Sequence, residues 1–140
     1  MKILCVDLGE VHVGFASCDR DETIAFGLKT IDVTGMRDAA DKTVLEAANT
    51  GAELILIGLP IRTDGIQGEK AEKSRAFAKM VNERCPVKTE LVDERFSTMH
   101  AHKLLNETGI SGRKRKRVID TLSAQLILQS YIDAKKNKRN

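Results

Sequence analysis

The sequence predicts an α/β fold built on one mixed five-stranded sheet, in the order β-β-β-α-β-α-β-α-α, with helices on both faces. Two observations carry this. Three short strand-like runs follow one another at the N-terminus with only turns between them, and beyond residue 35 short apolar runs alternate with segments of helical period. No repeat or linker interrupts the 140 residues, a length that suits one domain, expected over 1–134 with a basic, frayed tail at 135–140.

The elements follow in order. KILCVD (2–7) is apolar and too brief for a helix, as a central strand should be. VHVGFASCD (11–19) alternates and ends in turn residues, and TIAFGLKTI (23–31) is a third strand reached through the hairpin connection CDRDE. In MRDAADKTVLEAANTG (36–51) the period changes: Met36, Ala40, Val44 and Ala47 lie three or four apart, and Gly51 stands where a helix is closed. ELILIGLP (53–60) is a buried strand stopped by Gly58 and Pro60, and IRTDGIQG is a loop. EKAEKSRAFAKMVNER (69–84) is helical with Ala71, Ala78 and Val81 on one stripe, and Pro86 separates it from the strand VKTELVDE (87–94). STMHAHKLLNETG (97–109) is a helix capped by Ser97 or Thr98 and ended by Gly109. GRKRKR (112–117) is a charged loop, and VIDTLSAQLILQSYIDAKK (118–136) is a final helix with a broad apolar face.

Composition excludes several classes. No apolar stretch approaches the roughly 18–20 residues that cross a bilayer. Cys5, Cys18 and Cys85 are too far apart for a zinc motif or a disulfide framework, so reduced thiols and a cytoplasmic protein are expected. The net charge of +3 hides an asymmetry: residues 113–140 carry +7 and residues 1–112 carry −4. One strongly basic end favours a polyanionic partner.

Three acidic positions fall at element boundaries. Asp7 ends the first strand, Asp93 and Glu94 end the fifth, and Asp120 lies in the first turn of the last helix. Ligands of open α/β sheets gather at the carboxyl ends of the parallel strands. If strands one and five are parallel, Asp7 and Glu94 meet there, and such a cluster repels itself unless cations neutralise it. Mg2+ or Mn2+ suits an all-oxygen donor set, and two such ions can activate a water against a phosphodiester. Each residue also has a plainer role: Asp7 as a turn former, Asp120 as a partner of the helix dipole, Glu94 as a solvated surface group.

The cluster is followed by five consecutive cations, Arg113, Lys114, Arg115, Lys116 and Arg117. Each is able to neutralise a phosphate, and with four Phe and one Tyr in the chain, recognition of the backbone fits better than stacking on bases. His100 and His102, two apart on a helix, face away from each other and do not chelate. GLPIRTDGIQG places glycines near a helix start, where an anion is sometimes cradled, but lacks the Walker pattern.

Taken together, DLGEVHVGFASCD, IGLPIRTDGIQGEKAEKSRAFA, VDERFSTMHAHKLL and KRKRVIDTLSAQLILQSYID resemble the YqgF/RuvX family, in order and over nearly the whole chain. The resemblance implies a ribonuclease H-like fold and a nuclease acting on structured nucleic acid. Its substrate would be precursor 16S rRNA at its 5′ end, with ribosomal precursor particles as partners, or else branched DNA as in a Holliday junction. It implies metal ligands at Asp7, Glu94 and Asp120, and phosphate contacts at Arg95 and Lys116. Of Asp93 and Glu94 only one should reach the site, because neighbours on a strand point to opposite sides, and Glu94 is the expected one. A monomer or weak homodimer is expected. One stretch departs from the family pattern: DxG is ordinarily followed by basic residues, as in DxGxKRIG, whereas this chain has DLGEVHVG. His12 supplies positive charge there only when protonated. That departure keeps a non-catalytic RNA- or ribosome-binding module in view. A nucleotide phosphotransferase is disfavoured, since actin-like kinases need two such domains.

Overall fold

A computed structural model describes residues 1–59, 68–94, 103–109 and 112–139, apart from the side chains of residues 113, 114, 116 and 139. The elements are β1 (Ile3–Leu8), β2 (His12–Cys18), β3 (Ala25–Asp32), α1 (Met36–Thr50), β4 (Leu54–Leu59), α2 (Glu69–Arg84), β5 (Lys88–Asp93) and a long helix α3 (Gly112–Arg139). A single helical turn at 103–106 precedes α3. The strands form one mixed sheet in the order β3-β2-β1-β4-β5. β1, β2 and β3 form an antiparallel meander, while β4 pairs parallel with both β1 and β5. β1 and β5 therefore run parallel, one strand apart, and their carboxyl ends share an edge.

Both faces of the sheet are covered, which explains the near-continuous apolar runs of β1 and β4. Leu4, Val6, Phe15, Ile55 and Ile57 pack with Ala39, Ala40, Phe77 and Val81 of α1 and α2. Ile3, Cys5, Ala16, Leu54 and Leu56 pack with Ala124, Ile127, Leu128 and Ile132 of α3 on the other face. Gly51 closes α1 at φ 69°, a left-handed conformation that a glycine adopts without penalty. A register shift in the β2–β3 pairing, between Phe15 and Ala16, marks a bulge at Leu28. The bulge turns both Gly27 and Thr30 toward α3 despite their odd separation, and with Thr30 it turns Asp32.

Two expectations are corrected. The GRKRKR segment is not a loop: α3 starts at Gly112 and runs without a break for 28 residues, about 42 Å at 1.5 Å per residue. Lys and Arg are good helix formers, and a charge run reads as a loop only while it lacks an apolar stripe of its own. Nor is the chain frayed from residue 135, since α3 continues to Arg139. Its C-terminal half is tied to both sides of the sheet, by Lys135 Nζ to Glu22 Oε1 at 2.8 Å and by Tyr131 Oη donating to Glu90 Oε2 at 3.1 Å. Residues 97–102 of the helix expected over 97–109 lie outside the described residues, as does the IRTDGIQG loop up to residue 67; of the rest, 103–106 are helical and 107–109 form a turn. Cys5, Cys18 and Cys85 are free thiols, and no described helix is long and apolar enough to cross a membrane.

Candidate active site

Strand alternation puts Asp7 on the α3 face, two residues beyond Cys5 and four beyond Ile3. Its partner on β2 is Gly14, and the register of β1 with β4, Val6 opposite Ile57, brings Gly58 to its other side. Asp7 is thus flanked by two glycines, and each leaves room for something specific. A Cβ on Gly58 would collide with the Glu94 carboxylate, and a Cβ on Gly14 would collide with the main-chain carbonyl of Asp120. The first gap lets Glu94, just past the end of β5, reach across β4 to Asp7. The second lets α3 lie directly on β2 and brings Asp120 to the same edge. Glu94 is anchored by its own amide, which donates to the Leu59 carbonyl at 3.2 Å.

The electrostatics follow from this crowding. Burial first, then the charges of Glu94 and Asp120 and a hydrogen bond with Glu94, push the Asp7 carboxyl well above the usual carboxylate range. Burial also raises Glu94, against the hydrogen bond from Asp7 and the charge of Lys70, with Asp93 raising it further. Both shifts run in the direction that favours one proton held between the pair, with Asp7 donating to Glu94. Burial raises Asp120 as well, and the charge of His12 opposes this. Asp120 stands eight residues inside α3 rather than in its first turn, so a role as partner of the helix dipole, which fades beyond the first turn, is removed.

Among the described residues, no three Asp, Glu, His or Cys side chains are arranged to hold one ion together. Asp7 and Glu94 are the pair in contact, and Asp120 acts on Asp7 through its charge. That set still fits a hard divalent cation. Mg2+ is commonly held by one or two carboxylates, its other positions left to water and substrate phosphate. A bound cation would relieve the same repulsion that a shared proton relieves, and the gap at Gly58 keeps the two carboxylates together. Ser123 lies one turn beyond Asp120 on the same side of α3, and its buried Oγ has no hydrogen-bond partner among the described residues. Gly58→Ala is expected to lower Mn2+ affinity about 10–100-fold in calorimetric titration, the scale for disturbing a ligand's surroundings. The circular dichroism spectrum should not change, since Gly58 has ordinary strand geometry.

The basic segment is more committed than the sequence suggested. Arg117 grips the Asp32 carboxylate with Nη2 at 2.8 and 2.9 Å and gives Nη1 to the Thr30 carbonyl at 3.2 Å. Arg115 Nη2 donates to Asn106 Oδ1 at 2.8 Å. Arg95, His100 and His102 lie outside the described residues, as do the side chains of Arg113, Lys114 and Lys116. Sequence reasoning missed the two glycines. Both interrupt apolar runs, VHVGF and LIGLP, and a glycine inside a strand signals the close approach of another group.

A five-stranded mixed sheet with this order, a long helix on one face and acidic residues at the shared carboxyl edge defines the ribonuclease H-like class. Among solved structures of that class, the chain is similar to Thermus thermophilus RuvC in complex with a Holliday junction substrate. The TM-score is 0.59 at 11% identity, covering 98% of this chain and 96% of the other. It is also similar to the fowlpox virus resolvase in a complex with Holliday junction DNA, with a TM-score of 0.57 at 12% identity over 96% and 99% of the two chains. At such identities the likeness is one of fold. Within the class, residues 1–134 match the sequence model of RuvX, described as Holliday junction resolvase, and the chain belongs to that family. A relative from Pelotomaculum thermopropionicum named "Putative pre-16S rRNA nuclease" is 38% identical over 140 residues, covering 99% of this chain and 91% of that protein. One of the same name from Bacillus pumilus is 37% identical over 136 residues, covering 96% and 99%.

Proposed function

We propose that the protein is a metal-dependent endonuclease that hydrolyses phosphodiester bonds in structured nucleic acid, with precursor 16S rRNA at its 5′ end as the substrate. The observation that carries this reading is the meeting of Asp7 and Glu94, with the charge of Asp120 beside them, at the edge where the basic first half of α3 lies. Asp7 and Glu94 would hold Mg2+ or Mn2+, with Asp120 completing the set when substrate is bound. The bound metal supplies charge for the phosphate and a nucleophilic water. The chain's own contribution is positional. Gly58 and Gly14 hold the carboxylates at one point, and α3 excludes water from one side of it.

Phosphate contacts are assigned to Arg95, Arg113, Lys114, Arg115 and Lys116. Arg117, with about half of its side chain exposed at 48%, divides its charge between substrate and Asp32. The protein would act in the cytoplasm, on ribosomal precursor particles, as a monomer or weak homodimer.

A second reading, resolution of branched DNA, draws on the description of the family itself. The test is cleavage with Mg2+ or Mn2+ of a precursor 16S 5′-leader RNA and of a four-way DNA junction in parallel. Cleavage of the RNA alone is expected. Cleavage of the junction alone would transfer the function to branched DNA. Binding of either without cleavage would make the protein a non-catalytic module.

A further inference from the structure

We infer that His12 is the proton donor to the leaving oxygen at this site, oriented by Asp32; the inference rests on the nuclease reading above. It begins with the row structure of the sheet. Asp7, Gly14 and Thr30 are consecutive partners across β1, β2 and β3 on the α3 face. One step further toward the open edge, on that same face, stand Gly9, His12 and Asp32. The Gly9 amide donates to the His12 carbonyl at 2.9 Å, and His12 pairs with Asp32 in register. Two residues of strand span about 7 Å, so the imidazole stands one step beyond the Asp7 row, on its solvent side. Gly9, just past β1 and bonded to the His12 carbonyl, has no side chain to place between His12 and the Asp7 row.

The imidazole is held rather than loose. Its Nδ1 lies 2.9 Å from Asp32 Oδ1. Arg117 clamps both oxygens of that carboxylate from α3, so Asp32 is charged and only accepts. Nδ1 therefore carries a hydrogen, and Nε2 is the nitrogen left for substrate. The side chain remains 27% exposed, which admits a ligand. Among the described residues, the charged groups facing it are Asp32 on β3 and Arg117 and Asp120 on α3, with Lys42 of α1 donating to the Asp32 carbonyl at 3.0 Å. The Asp32 carboxylate and the Arg117 guanidinium nearly cancel, leaving Asp120 on the side of the site.

The chemistry balances. Water adds through oxygen to phosphorus and releases its proton to solvent. The bond from phosphorus to the leaving oxygen breaks with its electron pair, and that oxygen takes the Nε2 proton of the imidazolium. Solvent returns the proton afterwards.

The experiment compares wild type, His12→Gln, Asp32→Asn and Asp7→Asn on two versions of the cleaved RNA. One has the natural linkage, and the other has sulfur in place of the leaving oxygen. Thiolate departs without a proton. His12→Gln is expected to lower kcat on the natural linkage about 100-fold or more. KM should not change, and the rate on the sulfur linkage should stay within about 2-fold of wild type. Asp32→Asn should give a smaller loss with the same selectivity for the oxygen linkage. Equal losses on both linkages, or a loss in KM alone, would overturn the assignment and leave His12 a binding group. Cleavage that Asp7→Asn abolishes and His12→Gln leaves untouched would overturn the His12 inference while sparing the nuclease reading. A wild type that cleaves neither RNA nor a four-way DNA junction would remove both.

Discussion

Asp7→Asn is expected to abolish metal-dependent cleavage while making the metal-free protein more stable. The two effects have one cause. Asp7 is the carboxyl with the greatest crowding by Glu94, Asp120 and the surrounding apolar residues. A bound cation would relieve that crowding, and the asparagine would relieve it permanently without being able to bind the cation. Metal stabilisation of developing charge is worth several kcal/mol, and about 4 kcal/mol is roughly a thousandfold in rate. Single-turnover cleavage should fall by at least that factor, with nucleic-acid affinity within a few-fold of wild type, because the proposed phosphate contacts lie elsewhere. Cleavage retained at a tenth of the wild-type rate would exclude Asp7 as a ligand.

The pH dependence separates this from simple damage. Asp7 and Glu94 both have folded-state pKa values above the ordinary range near 4. Their contribution to stability is therefore complete below the unfolded pKa and is lost as pH rises through the raised folded values. Metal-free wild type should melt at progressively lower temperature as pH rises above that range, and saturating Mg2+ should restore the loss. Asp7→Asn should show a weaker slope and no Mg2+ response. A wild-type melting temperature that rises over that interval would contradict the shared proton.

Most of the framework is legible in the sequence because each strand and helix obeys its own local period. The strand LILIGL is apolar at consecutive positions because both of its faces are covered, and α1 ends at Gly51 as its spacing predicts. The carboxylates are legible as boundary residues; alternation says that only one of Asp93 and Glu94 reaches the site, and the family resemblance points to Glu94. What is not legible depends on three-dimensional neighbours. The start of α3 is hidden because RKRKR has no apolar stripe, and its helical state is secured by contacts 87 residues away: the Thr30 hydroxyl donates to the Arg117 carbonyl, and Arg117 returns a bond to Thr30. The commitment of Arg117 to Asp32, and of Asp32 to His12, likewise joins residues from three elements. No single stretch of sequence carries that chain of contacts.

Among the described glycines, Gly14→Ala is expected to be the most damaging substitution. At Gly14 a Cβ meets the Asp120 carbonyl oxygen and carbon, with the Thr121 amide nitrogen 3.0 Å away. These are backbone atoms in the middle of a 28-residue helix and cannot swing aside as a side chain would. The helix must lift from β2, and lifting it opens the layer where Ala124 and Leu128 are fully buried against the sheet. Overpacking of this kind costs about 1–3 kcal/mol, and a helix displaced as a unit belongs at the upper end. The midpoint of urea unfolding should fall accordingly, with the slope unchanged. Gly27→Ala provides the comparison on the same face, since its Cβ meets only the Thr121 methyl and the end of the Gln125 side chain, which can rotate. It should cost less than half as much. If the two substitutions prove equally mild, α3 is not seated on β2 as described, and Asp120 loses the contact that brings it to the edge where Asp7 and Glu94 meet.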